Sequence, residues 1–62
     1  MENYLIEKLK LEARKFYRAL IEGRPIDRYQ KNIREIIRKM IIIGISKSKI
    51  DDILSDAAME VC

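Results

Sequence analysis

Histidine and tryptophan are absent from this chain, and there is one cysteine, one proline and two glycines in 62 residues. Each shortage closes a class of structure or chemistry. A single cysteine, Cys62, cannot form a disulfide within the chain, and its acidic surroundings suit an inert thiol better than a reactive one. Without histidine only carboxylates remain as metal ligands, and their spacing is not that of a calcium loop, so neither a metal nor a cofactor is expected. Nucleophilic or general acid–base catalysis has no constellation either, since Ser46 and Ser48 have no base beyond neighbouring lysines and no glycine-rich phosphate loop is present. The sequence therefore reads as non-enzymatic, with no small-molecule substrate.

The longest apolar run, Met40–Ile45, is far short of the roughly 20 residues that span a bilayer. Acidic residues at Glu2 and Glu7 interrupt the start of the chain, unlike a secretory leader. A lone thiol fits a reducing compartment, and a cytoplasmic protein is expected. The net charge of +3 is unevenly spread: eleven basic residues stand against six acidic ones through Gly44, then two against four from Ile45 onward. A basic body followed by an acidic tail suits nucleic acid or an acidic protein surface on one side only.

What is abundant is helical periodicity. Ile6, Leu9, Ala13, Phe16 and Leu20 follow alternating three- and four-residue steps, with Leu5 and Tyr17 widening the stripe, and predict a helix over about 3–22. Gly23 and Pro25 end it and turn the chain. A second stripe, Ile26, Tyr29, Ile33, Ile36, Met40 and Ile43, predicts a helix over about 26–43, with Asp27 and Gln30 spaced as a capping box and Glu35 placed to pair with Lys39. A short connection makes these two helices an antiparallel hairpin. Gly44 ends the second, Ser46 offers a cap, and Ile50, Ile53, Leu54, Ala57 and Val61 predict a shorter third helix over about 47–60. Its expected place is across the end of helix 2, over Ile37, Ile41 and Ile42. The fold class is thus all-α, three helices in a single domain over 1–62. The aromatics Tyr4, Phe16, Tyr17 and Tyr29 are expected in the core or an interface.

A core this small rarely stabilises by more than about 3–5 kcal/mol, so self-association is expected, as a homodimer and plausibly a four-helix bundle of two hairpins. Its interface, or that of another protein, would draw on Tyr29, Ile37, Met40, Ile41 and Ile42.

The segment from Ile36 to Leu54 resembles the helix-turn-helix of recombinases and small repressors, in which a helix ends at glycine, an apolar-serine pair turns the chain and a second helix follows. Gly44, Ile45, Ser46, Ile50 and Ile53 carry the likeness. It implies a DNA-binding transcription regulator, with Ser46, Lys47, Ser48 and Lys49 at base edges and Arg28, Arg34, Arg38 and Lys39 on phosphates. Two features depart from the pattern: the position four before Gly44, ordinarily small, is Met40, and Asp51 and Asp52 follow in the next turn of the recognition helix. The alternative is a protein–protein interaction module, an adaptor or inhibitor, in which Gly44–Ser46 is an ordinary helical corner. A bare, unpartnered Asp51 and Asp52 would favour that second reading.

Overall fold

A computed structural model describes residues 2–62. It contains three helices, α1 (Glu2–Glu22), α2 (Asp27–Ile42) and α3 (Lys47–Val61), and no strand among the described residues. The all-α hairpin with a shorter third helix is therefore the observed architecture.

Both corners are closed by the same local chemistry. At the end of α1 the Arg24 N–H donates to the Ala19 carbonyl at 2.9 Å and the Gly23 N–H to the Leu20 carbonyl at 3.3 Å. At the end of α2 the Ile45 N–H donates to the Met40 carbonyl at 3.0 Å and the Gly44 N–H to the Ile41 carbonyl at 3.0 Å. This paired pattern satisfies carbonyls that the helix leaves free, and it requires a left-handed residue at the turn. Glycine supplies it, with φ of 72° at Gly23 and 95° at Gly44. Beyond Gly44, Ser46 caps α3: its Oγ accepts from the Lys49 N–H at 3.2 Å. Ile45 and Ile50, on either side of the cap, are both buried and staple the chain's entry into α3.

The start of α2 departs from the capping box. Ile26 holds the cap position without a side-chain hydrogen bond, and Asp27 is already helical. The Gln30 N–H instead bonds the Ile26 carbonyl at 2.9 Å. With the cap position taken by Ile26, the Asp27 carboxylate stands at the first helical position and does not cap the free N–H groups of that turn. The Glu35–Lys39 pair is likewise not among the ion pairs of the described residues, which are Lys10–Glu7, Arg14–Glu60 and Arg24–Glu22.

The largest departure is the position of α3. It packs against α1, as does α2, while α2 and α3 scarcely meet. Arg14 Nε donates to Glu60 Oε2 at 2.6 Å, tying the end of α3 to the middle of α1. Ser46 and Lys49, at the start of α3, share a groove with Ile6 and Lys10. Hence α3 runs in the same sense as α1 and antiparallel to α2. The reason lies in stripe width. On α1 the residues Leu5, Ile6, Leu9, Ala13, Phe16 and Tyr17 spread over enough of the surface to serve two neighbours, and Ala13 on α1 and Ala57 on α3 are both buried. The core joins Leu5 and Leu9 to Ile36, Met40, Ile45, Ile50 and Ile53, with Ile6, Ile33, Ile37 and Leu54 packed around it.

Four side chains change place as a result. Met40, expected at an interface, is fully buried and shares with Leu9 the rank of largest fully buried side chain among the described residues. Near the hairpin tip Leu20 is exposed while Ala19 is buried, because the stripe of a straight helix drifts from a strict heptad. Tyr4 stands in solvent rather than in the core, its hydroxyl accepting from Lys8 Nζ at 3.4 Å. Ile43 also turns outward, since the helix has already given way to the corner.

Candidate interaction surfaces

Ser46, Lys47, Ser48 and Lys49 are all exposed at the first turn of α3, and Arg28, Arg34, Arg38 and Lys39 are exposed along α2. The fold does not gather them into one groove. Ser46, Ser48 and Lys49 line an open groove of 470 Å³ with Lys10, Asp52 and Asp56. Arg34 lines a different groove, and Lys39 borders two others. Asp51 and Asp52 are exposed and form no ion pair among the described residues. They stand in the second turn of α3, beyond the turn on which the helix dipole chiefly acts, and water solvates both carboxylates. The residues of the helix-turn-helix likeness do their local work, with Gly44 at positive φ, Ser46 capping, and Ile45, Ile50 and Ile53 buried. The close crossing of the two motif helices is missing: a full-sized Met40 fills the space where a small residue would let α2 and α3 meet.

Apolar surface is concentrated elsewhere. Because α3 lies on α1, the end of α2 stays uncovered, and Ile42 is 75% exposed, Ile41 57% and Ile43 47%. Ile42 and Ile43 form a pocket of 400 Å³ with Tyr4, Leu5 and Lys39. Tyr4 also borders the adjoining hollow of Glu7, Lys8, Leu11 and Glu12, with Leu11 beyond Glu7 and Lys8 on the same helix face. The Lys8 ammonium lies 5.6 Å from the Tyr4 ring centroid, holding that ring at the junction. Single exposed apolar residues are ordinary on a protein surface, whereas Tyr4, Ile42 and Ile43 form a strip of neighbours around one pocket.

From sequence, Leu11 is assigned to neither core nor interface, Tyr4 is offered to both, and Ile43 reads as part of the inward stripe of α2. A usable signal exists for the first two: they are seven residues apart, share a helix face, and fall outside the stripe of Leu5, Leu9 and Ala13. Of the expected set, Ile42 belongs to this strip, whereas Ile37 and Ile41 lie on the opposite flank of α2 by helical spacing, and Tyr29 is half-buried.

That opposite flank borders a third feature. Phe16 and Tyr17 floor a groove of 220 Å³ between α2 and α3, walled by Ile33, Arg34 and Ile37 on one side and Leu54 on the other. The two aromatic rings meet edge to face, with centroids 5.2 Å apart at 74°. On the remaining side of the hairpin, Glu12 Oε2 is buried with no hydrogen-bond partner, beside Lys8, Asn32, Glu35 and Lys39. No group of histidine, cysteine and acidic residues among the described residues is placed to hold a metal ion, and no helix is long and apolar enough to cross a membrane. Comparison with protein families, curated proteins and solved structures finds no match to this chain.

Proposed function

We propose that this chain is a helical docking module that binds a protein partner through the strip of Tyr4, Leu11, Ile42 and Ile43. The observation that carries this reading is the exposure of the α2 end, where large isoleucines stand in water beside Tyr4. Covering an aliphatic side chain of that size is worth about 1.5–3 kcal/mol, so a complementary surface has an immediate source of affinity. Lys8 and Lys39 rim the strip together with Glu7 and Glu12, which suits a partner whose own rim is of mixed charge. The unpaired Asp51 and Asp52 agree with a protein partner better than with a phosphate backbone.

Replacing Ile42 and Ile43 together with aspartate tests the proposal. Both positions are exposed, but an acid at the end of α2 opposes the helix dipole, so each substitution lowers stability by about 0.5–1 kcal/mol. Partner affinity falls at least about tenfold, because two charges would have to be desolvated in the complex. Affinity capture from an extract of the cells the protein comes from, run in parallel for both forms, reads the effect. Equal recovery of the same bound protein by both forms removes the proposal.

A second reading, a DNA-binding regulator, has its own support in the exposed Ser46–Lys49 turn and the basic outer face of α2. On that reading duplex affinity drops steeply with salt. Lys47→Ala combined with Lys49→Ala then weakens duplex binding and relaxes its sequence preference, while Arg34→Ala combined with Arg38→Ala lowers the slope of log affinity against log salt by about two. Binding that is undetectable at low ionic strength, or indifferent to salt, rules it out.

A further inference from the structure

We propose that the groove between α2 and α3 binds a small aliphatic carboxylate, its alkyl chain laid on Phe16 and Tyr17 and its anionic head at Arg34. This goes beyond the docking strip, which lies on the other flank of α2. The groove exists because α2 and α3 both rest on α1 and scarcely meet, so the α1 surface between them stays open. Phe16 and Tyr17 form its floor, Ile33 and Ile37 one wall and Leu54 the other, all five half-buried in the single chain. Two polar residues complete the lining, Gln30 and Arg34, both exposed and both on the α2 side.

Charge of one sign selects the head group. Among the described residues Arg34 is the one charged side chain that lines the groove, and it forms no ion pair. The acids of α3 stay out of the lining: Asp52 and Asp56 line the groove against α1, and Glu60 holds Arg14. Gln30 and Arg34 stand one helical turn apart on the same face, so an amide N–H and a guanidinium can both donate to one carboxylate at that rim. Size and shape select the body. At 220 Å³ the groove is smaller than the roughly 300–1,000 Å³ that takes a drug-sized molecule. Its α2 wall runs from Gln30 to Ile37, about 10 Å of helix, close to the extended length of octanoate. A recessed apolar floor with one cation at its mouth suits a slender chain with a single charged end, whereas the protruding isoleucines of the docking strip suit a protein surface.

Octanoate is the probe, and the isoleucine methyl and tyrosine ring resonances of the full chain report its place. The expected result is saturable movement of the Ile33, Ile37 and Tyr17 signals, half complete at about millimolar octanoate, as so few atoms allow. Octylammonium, the same chain with the opposite charge, binds at least about fivefold more weakly. Arg34 is exposed, so Arg34→Gln keeps the fold; it weakens octanoate about fivefold, the upper range for an exposed ion pair, and removes most of the preference over octylammonium. The Ile42→Asp, Ile43→Asp form binds octanoate as the unaltered chain does, which separates the groove from the docking strip. The proposal is overturned if the Ile42 and Ile43 signals move in place of those in the groove, if acetate or octylammonium moves the groove signals at the same concentration, or if Arg34→Gln leaves the affinity intact. Groove signals that shift with protein concentration before any octanoate is added would give the groove to a second copy and overturn it too. So would a protein captured through Arg34 that octanoate does not displace.

Discussion

Leu9→Ala lowers the free energy of unfolding by about 2–5 kcal/mol, the range for truncating a buried leucine. Leu9 is 0% exposed and sits where the α1 stripe faces the core that draws on all three helices. Its side chain therefore contacts a cluster with no slack on either side, and the cavity left by truncation cannot close without moving two helices at once. A core of this size holds about 3–5 kcal/mol in total, so the variant loses most of its margin and is substantially unfolded near 37 °C. Urea denaturation followed by far-ultraviolet circular dichroism measures the difference. Leu9→Met, which keeps the volume, costs less than about 1.5 kcal/mol. A loss under 1 kcal/mol for the alanine form would mean that α1 is not the shared support of the fold.

Ile50→Asp produces the second large effect and acts on one helix first. Ile50 is 2% exposed, and it belongs to the same cluster as Leu9, Met40 and Ile45. A carboxylate at that site would be buried without a partner, at a cost of several kcal/mol, and the staple with Ile45 would be lost as well. Since α3 rests on α1 and scarcely touches α2, releasing it removes few α1–α2 contacts directly. Amide hydrogen exchange therefore shows protection lost across residues 47–61 before it falls in α1 and α2. Retained protection in α3 would contradict the docking of that helix through its isoleucine face. Ile50→Val, which leaves a smaller void and no charge, costs about 0.5–1.5 kcal/mol and keeps α3 in place.

These effects follow from features that differ in how far the sequence alone reveals them. The ends of the helices are local events. Gly23 and Gly44 take positive φ because a left-handed residue lets the next two N–H groups close back on the helix, and the atoms involved lie within six residues of one another. Ser46 as a cap, and Ile45 with Ile50 as its staple, are legible for the same reason. Periodicity likewise identifies which faces of α1, α2 and α3 turn inward, and errs chiefly at their ends, where Leu20 and Ile43 follow the stripe in sequence but have nothing to pack against.

The candidate surfaces were less legible. An apolar stripe states that a face must be covered, not by what, and the end of α2 is apolar nearly all round, so it could not rank its own sides. Met40 lies on the stripe that spacing marks and is buried, while Ile41 and Ile42, off that stripe, stay exposed because no helix covers that end of α2. The amino-acid sequence by itself determined the three helices, their corners and the hairpin, because capping, glycine conformation and short connections act between near neighbours. Tertiary structure alone decided that α3 lies on α1, and with it that the isoleucines of α2 are bare and a groove opens between α2 and α3. The physical reason is a competition between two apolar faces for one helix, won by the wider stripe on α1, and no single segment contains both competitors.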